Sequence, residues 1–233
     1  MMEGIIRHEQ WQFIQHTLQQ EKAMKLFDYG SAPNPRKVRI FLAEKGLDYE
    51  LVQIDMAKGE HKTPDFLKMN PSGKIPVLEL DDGRHLSESI AICRYLEAEY
   101  PEPNLFGRDA FELGYIEMRN RMMETELWSQ IGVSWVNGPI VAKMGMFKQI
   151  PEAKEISDVN VNKYYERLDK ELAESDYVAG DRFTVADITL ITGIDFATAL
   201  VGLKPDESLS NLWRWHALVS SRDSVDEVAV GKL

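Results

Sequence analysis

A single cysteine, Cys93, stands in this chain of 233 residues. A disulfide framework or a cysteine-based metal cluster needs several, so neither is available, and the usage fits a reducing compartment such as the cytoplasm. Basic charge is also scarce: 27 Lys and Arg face 38 Asp and Glu, a formal net charge of −11. Nucleic-acid binders need a basic face, and an acidic surface is repelled by anionic bilayers, so neither partner is expected. A local basic pocket for a small anion remains compatible with that balance. No apolar run approaches the ~20 residues that span a bilayer. The N-terminus lacks the long apolar core and small-residue cleavage site of a secretory signal.

What is present is ordinary for a folded globular chain: 44% hydrophobic and 28% charged residues. The length allows one large domain or two modest ones. Residues 1–23 are polar with scattered apolar positions and read as a weakly ordered extension. The first strong pattern starts at Met24, and codons for the preceding "QQEKA" can contain AGGAG, a bacterial ribosome-binding sequence. Translation is therefore expected to begin at Met24, which the intact mass of the natively expressed protein would test.

"MKLFDY" (24–29) and "YELVQID" (49–55) read as strands around a helix over "NPRKVRIFLAEKG". Asn34 suits the N-cap, Pro35 the first helical position and Gly46 the stop. Strand, helix and strand make a βαβ unit with parallel strands. "KGEHKTPDFLKMNPSGK" reads as an irregular connection with about one helical turn. "IPVLEL", "DDG" and "RHL" form a hairpin whose Asp82-Gly83 supplies positive backbone angles. "SESIAICRYLEAEYP" is a helix capped by Ser87 and ended by Pro101. A βαβ-ββα domain over 24–103 is thus followed, after "PEPNLFGRD", by an all-α domain over 109–233.

Several residues carry both a structural and a chemical reading. Pro76 fits an edge or the first position of a strand. Were its preceding bond cis, the Ile75 backbone would turn outward to pair with an extended peptide-like ligand. Glu88 and Ser89 are either simple caps or, at a helix start with free N–H groups, the holders of an amino-acid head group. In that case Ser89 takes the carboxylate and Glu88 the ammonium. His61 and Lys74 are solvated loop charges or a cationic pair for a second carboxylate. Cys93 lies in an apolar helical pattern and reads as a buried structural thiol. Met118, Met122 and Met123 with Trp128 read as helix core, or as the lining of an adaptable apolar pocket. "FTVADI" is a helix start with Thr184 as cap, Asp187 three residues on, and Phe183 placed to staple against Ile188.

Together "NPSGKIPVLELDDG", "LSESIAICRYLE" and "YVAGDRFTVADI", in this order and spacing, resemble the cytosolic glutathione S-transferase family. The resemblance runs from Met24 to about Asp223 and is nearest to a theta-like, fungal and bacterial subgroup. It implies a thioredoxin-like N-terminal domain, a helical C-terminal domain and a cytoplasmic homodimer in detoxification. Glutathione would be the co-substrate, without a metal, and a small hydrophobic electrophile the partner. It further implies a cis bond before Pro76, backbone pairing of Ile75 with the cysteinyl unit, and Glu88 and Ser89 on the γ-glutamyl head. His61 and Lys74 would hold the glycyl carboxylate. The pattern departs where serine-type members carry their hydroxyl, since that position is Ala32, leaving Ser31 and Asn34 as catalytic candidates. The subgroup's water-holding serine and histidine correspond to Gly132 and Val136, with Ser134 and Asn137 nearby as substitutes. The implied activity is conjugation of the glutathione thiolate; a glutathione-dependent disulfide or peroxide reductase and a non-catalytic glutathione-binding protein are the alternatives.

Overall fold

The computed structural model describes residues 24–226 and Val228; the expected extension over 1–23 lies outside the described residues. Four strands form one mixed sheet in the order β2-β1-β3-β4: β1 (Lys25–Asp28), β2 (Glu50–Gln53), β3 (Val77–Glu79) and β4 (His85–Ser87). β1 is parallel to β2, with Leu26 opposite Leu51, and antiparallel to β3, with Leu26 opposite Leu78. The crossover between the parallel pair is α1 (Pro33–Lys45), while α2 (Pro64–Met69) precedes β3 and α3 (Ser89–Glu99) follows β4.

The period of two along the strands sorts the side chains onto two faces. Leu26 and Leu78 are fully buried in the main core with Phe41, Ile92 and Leu96. Phe27 and Val77 point the other way and meet Ile54 and Phe66 in a smaller cluster, with the Phe27 and Phe66 rings edge-to-face at 6.3 Å. This is the expected thioredoxin-like domain.

Three local expectations are corrected. α1 starts at Pro33 with Ala32 as its cap, and no side chain caps it. Pro33 has the fixed φ and missing N–H of a first helical residue, so it starts the helix earlier than Asn34 would. Ser87 is the last residue of β4 rather than a cap; Glu88 occupies the cap position of α3 without a side-chain capping bond. In the hairpin only Gly83 takes a positive φ, 84°, because a three-residue loop needs one left-handed position where a two-residue turn needs two.

The second domain is helical: α4 (Ala110–Met122), α5 (Ser129–Val136), α6 (Pro139–Met144), α7 (Pro151–Glu171), α8 (Val185–Phe196), α9 (Ser210–Ser220) and α10 (Asp223–Asp226). α4 runs without a break into α5 through a π-helical segment, Met123–Trp128, and α8 ends in another, Ala197–Val201. Asp109 caps α4 by accepting from the Glu112 N–H, and Thr184 with Asp187 forms a capping box at α8. Phe183 and Ile188 are both buried in the same core. α8 is buried on all sides from Val185 to Ile194, which makes it the axis of its domain. The methionine run divides: Met123 is fully buried, whereas Met118 is 45% exposed.

The two domains meet along α1 and α8. Arg36 reaches across to Asp195 at 2.6 Å, and Arg222 grips Glu44 with two hydrogen bonds of 2.8 and 2.7 Å. The linker is pinned too, since Lys45 donates to the carbonyls of Tyr100 and Pro103 at 2.7 Å each.

Candidate active site

Where the loop entering β3, the start of α1 and the start of α3 face the helical domain, a cavity of about 310 Å³ opens. The first domain contributes Asn34 and Lys37 from α1, Asn70, Lys74, Ile75 and Pro76 from the loop before β3, and Glu88 and Ser89 from the start of α3. Glu124, Trp128 and Ser129 line it from the helical domain. Of the eight residues singled out in the sequence, six are brought together: Asn34, Lys74, Ile75, Pro76, Glu88 and Ser89.

The loop before β3 is built to present its backbone. The Ile75–Pro76 bond is cis. The Ile75 N–H and C=O bond to none of the described residues. Asn70 braces the loop from behind: its amide donates to the Lys74 carbonyl at 2.7 Å and its carbonyl oxygen accepts from the Ser72 N–H and hydroxyl. Gly73 takes φ 59°, and a Cβ there would stand 2.6 Å from Lys62 Nζ, so this turn requires glycine.

At α3 the backbone turns sharply. Glu88 has φ 69° and ψ 112°, the one non-glycine residue with positive φ among those described. Neither its carboxylate nor the Ser89 hydroxyl makes a hydrogen bond to the described residues, so capping does not use them. Both remain free for a ligand at the helix's positive end.

His61 does not line the cavity. It sits on a 3₁₀ turn, Glu60–Lys62, tied to the Lys74 loop by Lys62 Nζ donating to the Gly73 carbonyl at 3.0 Å. Its Nδ1 is buried without a partner among the described residues, and burial, helped by the Lys62 cation, lowers its pKa. Ser31 is exposed and outside the lining. Ser134 is fully buried and donates to Asp158 at 2.5 Å. Asn137 donates to the Val133 carbonyl and accepts from the Ile150 N–H. Both are engaged structurally, and neither lines the cavity. Cys93 is buried in the core, where loss of water pushes its thiol well up.

The helical-domain wall depends on Trp128. Its indole N–H donates to the Thr189 carbonyl at 3.0 Å, and its ring stacks on Phe196 at 6.4 Å. Gly193 makes room for it, as a Cβ there would come within 3.0 Å of the indole nitrogen. Lys37 Nζ lies 3.8 Å above the Trp128 ring, joining the domains through a cation–π contact.

The profile of the glutathione S-transferase N-terminal domain matches residues 32–99, and that of the C-terminal domain matches residues 135–223. Glutathione S-transferase 2 of Saccharomyces cerevisiae is 37% identical over 213 residues, covering 89% of this chain and 90% of its own length. The chain belongs to the glutathione S-transferase family. Within that family, glutathione S-transferase F7 of Arabidopsis thaliana is 31% identical, covering 88% of this chain and 98% of its own. The crystal structure of Gtt2 from Saccharomyces cerevisiae superposes with a TM-score of 0.79 at 37% identity, covering 88% of this transferase and all of that chain.

Sequence reasoning missed Lys37, Asn70, Glu124 and Ser129, and read Trp128 first as core. A signal existed for Lys37: it falls on one helical row with Ile40 and Phe41, three and four residues on, which marks an inward face.

Proposed function

We infer that this glutathione S-transferase conjugates the thiolate of glutathione to small hydrophobic electrophiles. The observation that carries the reading is the convergence of unpaired groups on one cavity: the Ile75 backbone, the Glu88 carboxylate, the Ser89 hydroxyl and the Lys74 side chain. These match an extended tripeptide with a zwitterionic head, a central amide and a distal carboxylate. Ser89 and the N–H groups of α3 take the γ-glutamyl carboxylate, Glu88 its ammonium, and Ile75 the cysteinyl amide. Lys74 takes the glycyl carboxylate, with His61 behind it on the bracing turn. Asn34 and the start of α1 then stand at the sulfur, while exposed Ser31 is the weaker candidate. The electrophile lies against Trp128.

A homodimer accompanies this reading. Exposed apolar residues on α4 support it, with Phe111 81% and Met118 45% accessible.

The test is calorimetric titration with glutathione, together with turnover of a chloronitrobenzene substrate. Ser89→Ala removes a hydrogen bond to a charged group and should weaken glutathione binding about tenfold or more. Reduction of hydroxyethyl disulfide without conjugation would favour the reductase, running through two glutathiones because Cys93 is inaccessible. Binding without either turnover would leave a carrier. Absence of binding would end the reading.

A further inference from the structure

Lys37 lies in the second turn of α1, one turn beyond Asn34, and both line the cavity. It is only 3% exposed. A buried ammonium normally holds a carboxylate or several acceptors, because little else offsets the loss of water. Its neighbour Arg36 obeys this rule through Asp195. Lys37 does not: among the described residues it has no hydrogen bond and no carboxylate at ion-pair distance. Its close partner is the face of Trp128. Glu88 and Cys93 around α3, and Glu124 on the π-helical segment, face it only through space. Burial outweighs them and lowers the ammonium to about 8. The cavity thus holds a cation that lacks its anion.

We propose that the Lys37 ammonium holds the sulfur of bound glutathione as thiolate, the role for which Ala32 offers no hydroxyl. The proposal rests on the glutathione site described above. In that site the head group and the distal carboxylate already have partners, and the sulfur is the anion left over. Side chains on a helix lean toward its N-terminus, so Lys37 reaches back over the turn of Asn34, where the cysteinyl unit paired to Ile75 places its thiol. The thiol proton passes to solvent and the ammonium keeps its own. The sulfur electron pair then forms the carbon–sulfur bond, and the electrophile's leaving group departs with the pair of the bond that breaks. Trp128 carries the ammonium on its ring face without competing for the anion, and Glu124 and Glu88 favour the protonated form.

Ultraviolet titration of the bound thiolate tests this in wild type, Lys37→Met and Lys37→Arg, alongside affinities for glutathione and for S-methylglutathione, which has no thiol to ionise. Lys37→Met should raise the bound thiol pKa by about one to two units, as removal of a close opposite charge does. The kcat/KM below neutral pH should fall about 10- to 100-fold accordingly. Lys37→Arg should restore most of the shift, and the affinity for S-methylglutathione should be unchanged in both variants. An unmoved thiol pKa would overturn the proposal, as would equal weakening of the two ligands, which would assign Lys37 to a carboxylate instead. Failure of the wild type to bind either ligand would remove the glutathione site itself, an outcome distinct from binding with an unshifted thiol.

Discussion

At Glu88 the chain accepts a backbone conformation that L-residues avoid, φ 69° with ψ 112°, at the mouth of the cavity. Such a residue costs about 1–3 kcal/mol and persists where its surroundings over-determine it. Glycine would relieve most of that cost, less roughly 0.5–1 kcal/mol for its own extra freedom in the unfolded chain. Glu88→Gly should therefore raise the thermal midpoint, or leave it unchanged, while weakening glutathione binding several-fold in calorimetry. A fall in both would mean that the carboxylate serves the fold. Glu88 and Ser89 were legible in the sequence because a recognisable helix start puts them at its positive end. Asn34 was legible as a residue but not as a position, since two prolines compete to begin α1 and the first one wins. The row shared with Ile40 and Phe41 marks Lys37 alone as inward, yet Arg36, Lys37 and Arg39 of "RKVR" are all buried. Each is covered by a different partner, respectively Asp195, the Trp128 ring and Asp28. No local rule announces three buried cations in four residues.

The helices differ in how far their own residues explain them. α8 is announced by Thr184 and Asp187, and its capping box is present. Asp187 does more than cap, however. It accepts from the Val178 N–H at 2.9 Å and from the Trp215 indole at 2.8 Å, fully buried. A cap alone is worth about 1 kcal/mol, whereas several bonds to one buried acceptor make Asp187→Ala cost about 3 kcal/mol or more. Urea unfolding should show that loss, with Thr184→Ala near the smaller figure. Equal losses for the two would reduce Asp187 to its capping role. The π-helical segment is the opposite case. An α-helix turns about 100° per residue, which would carry Ser129 roughly 140° from Glu124. The wider i→i+5 turn brings Glu124, Trp128 and Ser129 to one side instead. Apolar periodicity predicts a helix there and is right, but the seat of the Trp128 indole is made by the Thr189 carbonyl and the space above Gly193. Those partners lie some sixty residues away, so the site's second wall could not be read locally.

The division into an α/β part and a helical part was legible because strand-length runs alternate with helices before the linker, whereas helical spacing alone continues after it. The joint between the parts was not, since Arg36 and Asp195 are separated by 159 positions. That joint fixes the distance between the glutathione half of the cavity and the Trp128 wall, because Arg36 adjoins Lys37 on α1 and Asp195 lies two residues beyond Gly193 on α8. Asp195 also takes His216 Nε2 at 2.8 Å. Burial alone would raise its pKa, but the hydrogen bond from His216 and the Arg36 guanidinium together hold it below the usual carboxylate value. A depressed folded-state pKa means that the folded protein binds fewer protons than the unfolded chain, so the stabilisation is complete above the unfolded value of about 4. It declines as pH falls through the depressed value. Among the described residues, Asp195→Ala leaves Arg36 buried beside the backbone carbonyls of Val225 and Val228, and should cost about 3 kcal/mol at neutral pH. Urea unfolding across pH should show the gap between wild type and variant shrinking on the acid side and nowhere else. A gap that persists unchanged in acid would mean that packing, not charge, joins the domains. The cavity would then owe its width to the apolar contact of α1 with α8, and the Lys37–Trp128 distance would survive loss of the ion pair.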